Sequence, residues 1–150
     1  MTLYNNQGIQ QQPLLVFQTE DARIELDTAR KYILVEWLRH PDSEGFRKNF
    51  AKALELAIAQ GCLYWLSDSR AMHYLELGDQ NWIIREITPI LQHIPLVKFA
   101  RLTTLQSLSM MDVPRVYDKL EQLPEWRQKA ALEVFTNKAD AVSWLFSEAA

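Results

Sequence analysis

Gly61-Cys62-Leu63-Tyr64-Trp65-Leu66-Ser67-Asp68-Ser69 is the stretch that decides the fold. It opens on a glycine suited to the position just past a helix end. An apolar run, Cys62 to Leu66, follows without alternation and is bounded by Ser67, Asp68 and Ser69. A strand wetted on one face alternates apolar and polar residues, whereas an unbroken run reads as a strand covered on both faces. The spacing therefore predicts a buried central strand at Cys62–Leu66, fed by a helix.

That helix is visible upstream. Pro41-Asp42-Ser43-Glu44 is a helix start, with Asp42 or Ser43 as cap and Glu44 at the positive end. Phe46, Phe50, Ala53, Leu54 and Ala57 then share one side, and Lys48, Lys52 and Glu55 the other. Before it, Leu14 to Phe17, the alternating Ala22 to Leu26 and the run Tyr32 to Leu38 read as a strand or strand pair followed by an antiparallel partner. Thr28 to Lys31 forms the turn.

Downstream, Asp79 is a good N-cap for a helix reaching about His93, with Ile83, Ile87, Ile90, Leu91 and Ile94 as its core stripe. Pro89 lies inside it and predicts a kink. Leu96–Leu102 reads as a strand, Asp112 to about Gln122 as a short third helix, and Ala130–Phe135 as a last strand. Asn137-Lys138-Ala139-Asp140 caps a final helix whose Ala141, Val142, Leu145 and Phe146 make one face. The alternation predicts a single α/β domain at 13–150, a mixed sheet covered by about four helices with right-handed crossovers. Residues 1–12, uncharged and holding six Gln or Asn, read as a flexible polar tail.

Composition narrows the function classes. Of the 150 residues, 48% are hydrophobic and 23% charged, as in an ordinary soluble domain. Sixteen Lys and Arg against nineteen Asp and Glu give a net charge of −3, which argues against a nucleic-acid partner. The start of the chain lacks the basic and apolar regions of a secretory signal, and no segment has the length of a membrane span. With one cysteine, Cys62, the expectation is a cytoplasmic protein without disulfides.

Three stretches, taken together and in order, carry a resemblance: Leu66-Ser67-Asp68-Ser69-Arg70, Gln80-Asn81-Trp82 through Ile87-Thr88-Pro89-Ile90-Leu91, and Val134-Phe135 with Asp140-Ala141-Val142-Ser143-Trp144-Leu145. The chain resembles the STAS fold of the anti-sigma factor antagonists, and more closely the SpoIIAA-like small proteins of bacteria, over Leu14 to Phe146. The resemblance implies a STAS-like, SpoIIAA-like domain serving as a non-catalytic interaction or regulatory module. Anti-sigma antagonists carry a phosphorylatable serine in an Asp-Ser-Ser-Gly segment opening a helix. Here Arg70 and Ala71 follow Asp68-Ser69, so the phosphoswitch is not expected.

The side-chain chemistry agrees with a module rather than an enzyme. His40, His73 and His93 stand far apart, and neither His-x-x-x-His nor Cys-x-x-Cys occurs, so no metal or cofactor is expected. There is no nucleophile elbow and no phosphate-cradling loop. Asp68 reads as a turn-capping residue.

The segment Asp68 to Gly78 holds Arg70, Met72, His73, Tyr74 and Leu75 at the C-terminal end of the central strand, where α/β folds bind ligands. It is either an adaptable rim or a small satellite core. Met110 and Met111, after the next strand, fall on the same rim, and Trp82 falls off its helix's stripe as an interface or packing residue. The expected site is thus Asp68, Arg70, Met72, His73, Tyr74, Trp82, Met110 and Met111. It would take a protein partner, with a homodimer left open. The alternative is a carrier or sensor of a small apolar ligand under the Asp68–Gly78 loop.

Overall fold

The computed structural model describes residues 13–91, 93–108, 122 and 130–147. Six strands form one sheet in chain order: β1 (Leu14–Gln18), β2 (Ala22–Asp27), β3 (Tyr32–Trp37), β4 (Tyr64–Asp68), β5 (Lys98–Leu102) and β6 (Ala131–Phe135). The first three pair antiparallel, and β3 through β6 run parallel. The chain is an α/β domain built on a mixed sheet.

The β2–β3 turn is closed by Asp27, whose buried carboxylate accepts from Arg30 Nε at 2.8 Å and Arg30 N at 3.1 Å, while Lys31 takes a left-handed φ of 58°. Helix α1 (Ser43–Gln60) crosses from β3 to β4. Asp42 caps it by accepting from Gly45 N at 2.7 Å, and Gly61 ends it at φ 61°, ψ 46°, as the sequence predicts. The strand expected at Cys62 begins two residues later, at Tyr64. Leu63 N and Tyr64 N both donate to Lys31 O, which sets the first rung, and Cys62 lies buried before it. The strand expected from Leu96 likewise begins at Lys98.

The second crossover departs further. Its helical stretch starts at Leu77, so Asp79 sits in the first turn and is not the N-cap. It runs as α2 (Leu77–Trp82), a π-helical turn (Ile83–Ile87) and α3 (Thr88–Leu91). Pro89 has no N–H for the usual bond, and Thr88 N–H reaches back to Ile83 O instead, joined by Thr88 Oγ1 at 3.2 Å. The expected kink is thus a widened turn. A π-turn advances less per residue than an α-turn, so Leu91 stays in line with Ile83 and Ile87 while Ile90 rotates out to 38% exposure, off the core stripe. A short α4 (Leu105–Leu108), absent from the sequence reading, follows β5, and α5 (Lys138–Leu145) follows β6. The helix expected over 112–122 lies outside the described residues.

Two cores result. On one face Ile24, Ile33, Val35 and Trp65 pack under Phe46, Ala53, Leu54 and Ala57 of α1 and under Ile83, Ile87 and Leu91. On the other, Tyr32, Leu34, Leu66, Ala100 and Leu102 lie beneath Ala141 and Leu145 of α5. Asn137 caps α5 by accepting from Asp140 N at 3.0 Å, and Lys98 Nζ binds its last carbonyls, Trp144 O at 2.7 Å and Ser147 O at 3.1 Å. Among the described residues no helix is long and apolar enough to cross a membrane.

Gly61 offers a clean test of how α1 hands over to β4. A Cβ there meets nothing within 4 Å, so Gly61→Ala acts through the left-handed backbone alone. We expect a loss of about 1 kcal/mol by urea unfolding. An unchanged midpoint would mean that the helix end is not held in this geometry.

Candidate functional site

The register sends the expected site residues to different places. Asp68 points to the α5 face, level with Glu36 and Leu102. Its buried carboxylate is held by Arg70 in a fork, Nε to Oδ1 at 2.9 Å and Nη2 to Oδ2 at 2.8 Å, and Oδ1 also accepts from Arg70 N at 3.3 Å. The contact with Asp68 holds the Arg70 guanidinium above its ordinary pKa. This is the turn-capping role read from the sequence, strengthened by an ion pair.

Met72 and Leu75 are buried in the α1-face core. They fasten the loop from within, so the satellite-core reading holds for these two. His73 and Tyr74 remain exposed. The structure also brings together two histidines that are 33 positions apart. The rings of His40 and His73 stack at 5.5 Å with 19° between planes, Tyr74 tilts over His40 at 4.4 Å, and His73 N donates to His40 Nδ1 at 3.2 Å. That bond requires a neutral Nδ1 on His40. Among the described residues no group of three or more His, Cys, Asp or Glu is placed to hold a metal ion.

Ser67, Ser69, Arg101 and Thr103 form a buried polar block on the α1 face, at the C-terminal ends of β4 and β5. Ser67 is 8% exposed, Ser69 is fully buried, and their hydroxyls lie 3.0 Å apart. Ser69 N extends the ladder to Leu102 O at 2.8 Å. These hydroxyls are spent inside the fold. Cys62 is equally withdrawn: burial pushes its thiol up to about 11, against a smaller opposing pull from Lys31. At neutral pH it is a protonated, inert core group.

Trp82 is half-buried, not displayed on a polar face. Its ring meets Phe46 edge-on at 6.2 Å and Phe50 at 6.1 Å, and the Arg47 guanidinium sits 5.4 Å from its centre. The same Arg47 donates from Nε to Asp79 Oδ1 at 2.8 Å and from Nη2 to Gly78 O at 3.2 Å. Ser43 Oγ donates to Asp79 Oδ2 at 2.9 Å and to Glu76 Oε1 at 3.3 Å. Asp79 is buried, and through these bonds it staples α2 to the first turn of α1.

Below the staple the helices part. An open trough of about 490 Å3 runs between them, with Ala51, Leu54 and Ile58 along one wall and Trp82, Ile87 and Ile90 along the other. Glu55 and Glu86 mark its rims. Ile58 and Ile90 are 43% and 38% exposed, so the trough presents branched apolar groups to water. Sequence reasoning missed it, because Ile90 was assigned to the core and Ile58 to neither face. The one legible hint was Trp82 off the stripe. Met110 and Met111 lie outside the described residues. Comparison with protein-family models, with curated proteins and with solved structures finds no match for this chain.

The buried serines give the sharpest check on this part of the molecule. Ser69→Ala should cost about 1 kcal/mol in urea unfolding, the worth of one buried hydrogen bond. Ser69→Asp should cost roughly 3 kcal/mol or more, because it buries a carboxylate with no partner. An aspartate tolerated as well as the alanine would show that the hydroxyl is open to water and to modification.

Proposed function

We propose that this chain is a non-catalytic protein-interaction or regulatory module of STAS-like, SpoIIAA-like architecture, working in the cytoplasm. Its docking surface is the trough between α1 and the α2–α3 stretch, with Trp82 at its head. One observation carries the reading: exposed Ile58 and Ile90 face each other across an open apolar floor that the domain's own helices leave uncovered. Contiguous apolar surface of this kind on a soluble domain marks a contact site, and a tryptophan braced by aromatic neighbours makes a rigid anchor. His73 and Tyr74, with the Arg70 that flanks them, form a second, more polar part of the proposed surface.

The non-catalytic reading draws on how the polar groups are used. The buried carboxylates Asp27, Asp68 and Asp79 are each bound by an arginine, the serine hydroxyls face each other, and the thiol is protonated. None is left poised as an acid, base or nucleophile.

The test uses surface variants, because truncating Trp82 would also disturb the core. Ile58→Lys and Ile90→Lys should keep the wild-type melting temperature within a few degrees. Each should weaken capture of the protein's partner from lysate of its own cells by roughly 30-fold or more, about 2 kcal/mol at an interface hot spot. Retention of the same partner by both variants would rule out the trough. A stoichiometric small apolar molecule found with the native protein by mass spectrometry would favour a carrier instead.

A further inference from the structure

A second surface, distinct from the trough, lies at the end of the sheet. Among the described residues β1 pairs only with β2, so its outer edge presents a row of main-chain N–H and C=O groups. Leu14, Leu15 and Val16 on that edge are 70%, 49% and 46% exposed. Proteins blunt such edges with charge, proline or a bulge. The opposite edge strand, β6, carries an exposed Glu133 at its centre. β1 has only an irregularity in register between Leu15 and Phe17. No charged side chain occurs anywhere from Met1 to Thr19, and the first is Glu20.

That charge pattern points to a particular occupant. When a strand pairs antiparallel with its own copy, every residue lies opposite the same segment reversed, so any charge in it meets a like charge at close range. A heterologous partner would tolerate charge on this edge, provided the other side complemented it. An edge with none fits itself. The irregularity helps, because it leaves Leu14 and Phe17 on one face, opposite Leu26 and Ile24. Across a two-fold axis near Val16, Leu14 of each copy then lies on the same face as Phe17 of the other.

We propose that β1 is the seam of a homodimer, pairing antiparallel with β1 of a second copy to give one continuous sheet of two domains. The contact is isologous and closed, so it makes dimers and not filaments. A seam of five residues per copy is smaller than a standard interface, so the dimer should be weak, with a dissociation constant of about 10–100 μM.

Sedimentation equilibrium of the full chain from about 1 to 300 μM tests this, spanning that affinity range. The wild type should pass from monomer to dimer. Val16→Lys and Leu15→Lys, both at exposed positions, should retain the wild-type circular dichroism and melting temperature yet remain monomeric throughout. A wild type that stays monomeric overturns the proposal. If its β1 amides are also protected from hydrogen exchange, the edge is covered from within the chain. Dimers that persist in both lysine variants, or assembly that continues past the dimer, would equally overturn it.

Discussion

The buried carboxylate of Asp79 decides how the second crossover lies against the first. It accepts from Ser43 in the first turn of α1 and from Arg47 one turn on, and Arg47 also reaches the carbonyl of Gly78 and the face of Trp82. A carboxylate removed from water costs several kcal/mol unless charge and hydrogen bonds replace its hydration. Here both oxygens are bound, and the geometry that binds them fixes the start of α2 against α1. From that fixed end the two helical stretches diverge, because the π-turn before Pro89 rotates the second one as it descends. The trough follows from a staple at the top and a widened turn in the middle.

The sheet explains why two such stretches lie side by side. Strands β3, β4 and β5 advance in one direction, each beside the last. Successive crossovers of one hand then fall on the same face of the sheet. The other face would stay bare without α5, which has no strand to lead into among the described residues and folds back over Leu34, Leu66 and Leu102. β4 is therefore covered on both sides, with Trp65 turned to one core and Leu66 to the other. The same constraint concentrates the polar ends of β4 and β5 at one rim, where Asp68 and Ser69 are absorbed by local bonds.

Much of this was legible in the residues. The unbroken run after Gly61 marked the central strand because a doubly covered strand has no reason to alternate. Asp42, Gly61 and Asn137 marked helix ends because each satisfies, within a few residues, backbone groups that a helix leaves open. What was not legible depended on contacts between distant positions. Asp79 ahead of an apolar stripe has the look of a cap, and only Ser43 and Arg47, 36 and 32 residues away, make it a staple. Ile90 was placed in the core by counting at 3.6 residues per turn, which a π-turn breaks. The stacking of His40 on His73 had no local signal at all. Of the expected site residues, Met72 proved to be core, Asp68 and Arg70 a structural pair, and Trp82 a braced wall of a trough formed with residues not singled out.

The measurement that bears most directly on this account is a double-mutant cycle between Asp79 and Arg47, read by urea unfolding with Trp82 fluorescence recorded alongside. If the staple sets the wall of the trough, the coupling should be about 1–3 kcal/mol, and either single alanine substitution should shift Trp82 emission to the red as water reaches its ring. A coupling below about 0.5 kcal/mol, the range of an exposed pair, together with unchanged Trp82 emission, would contradict it.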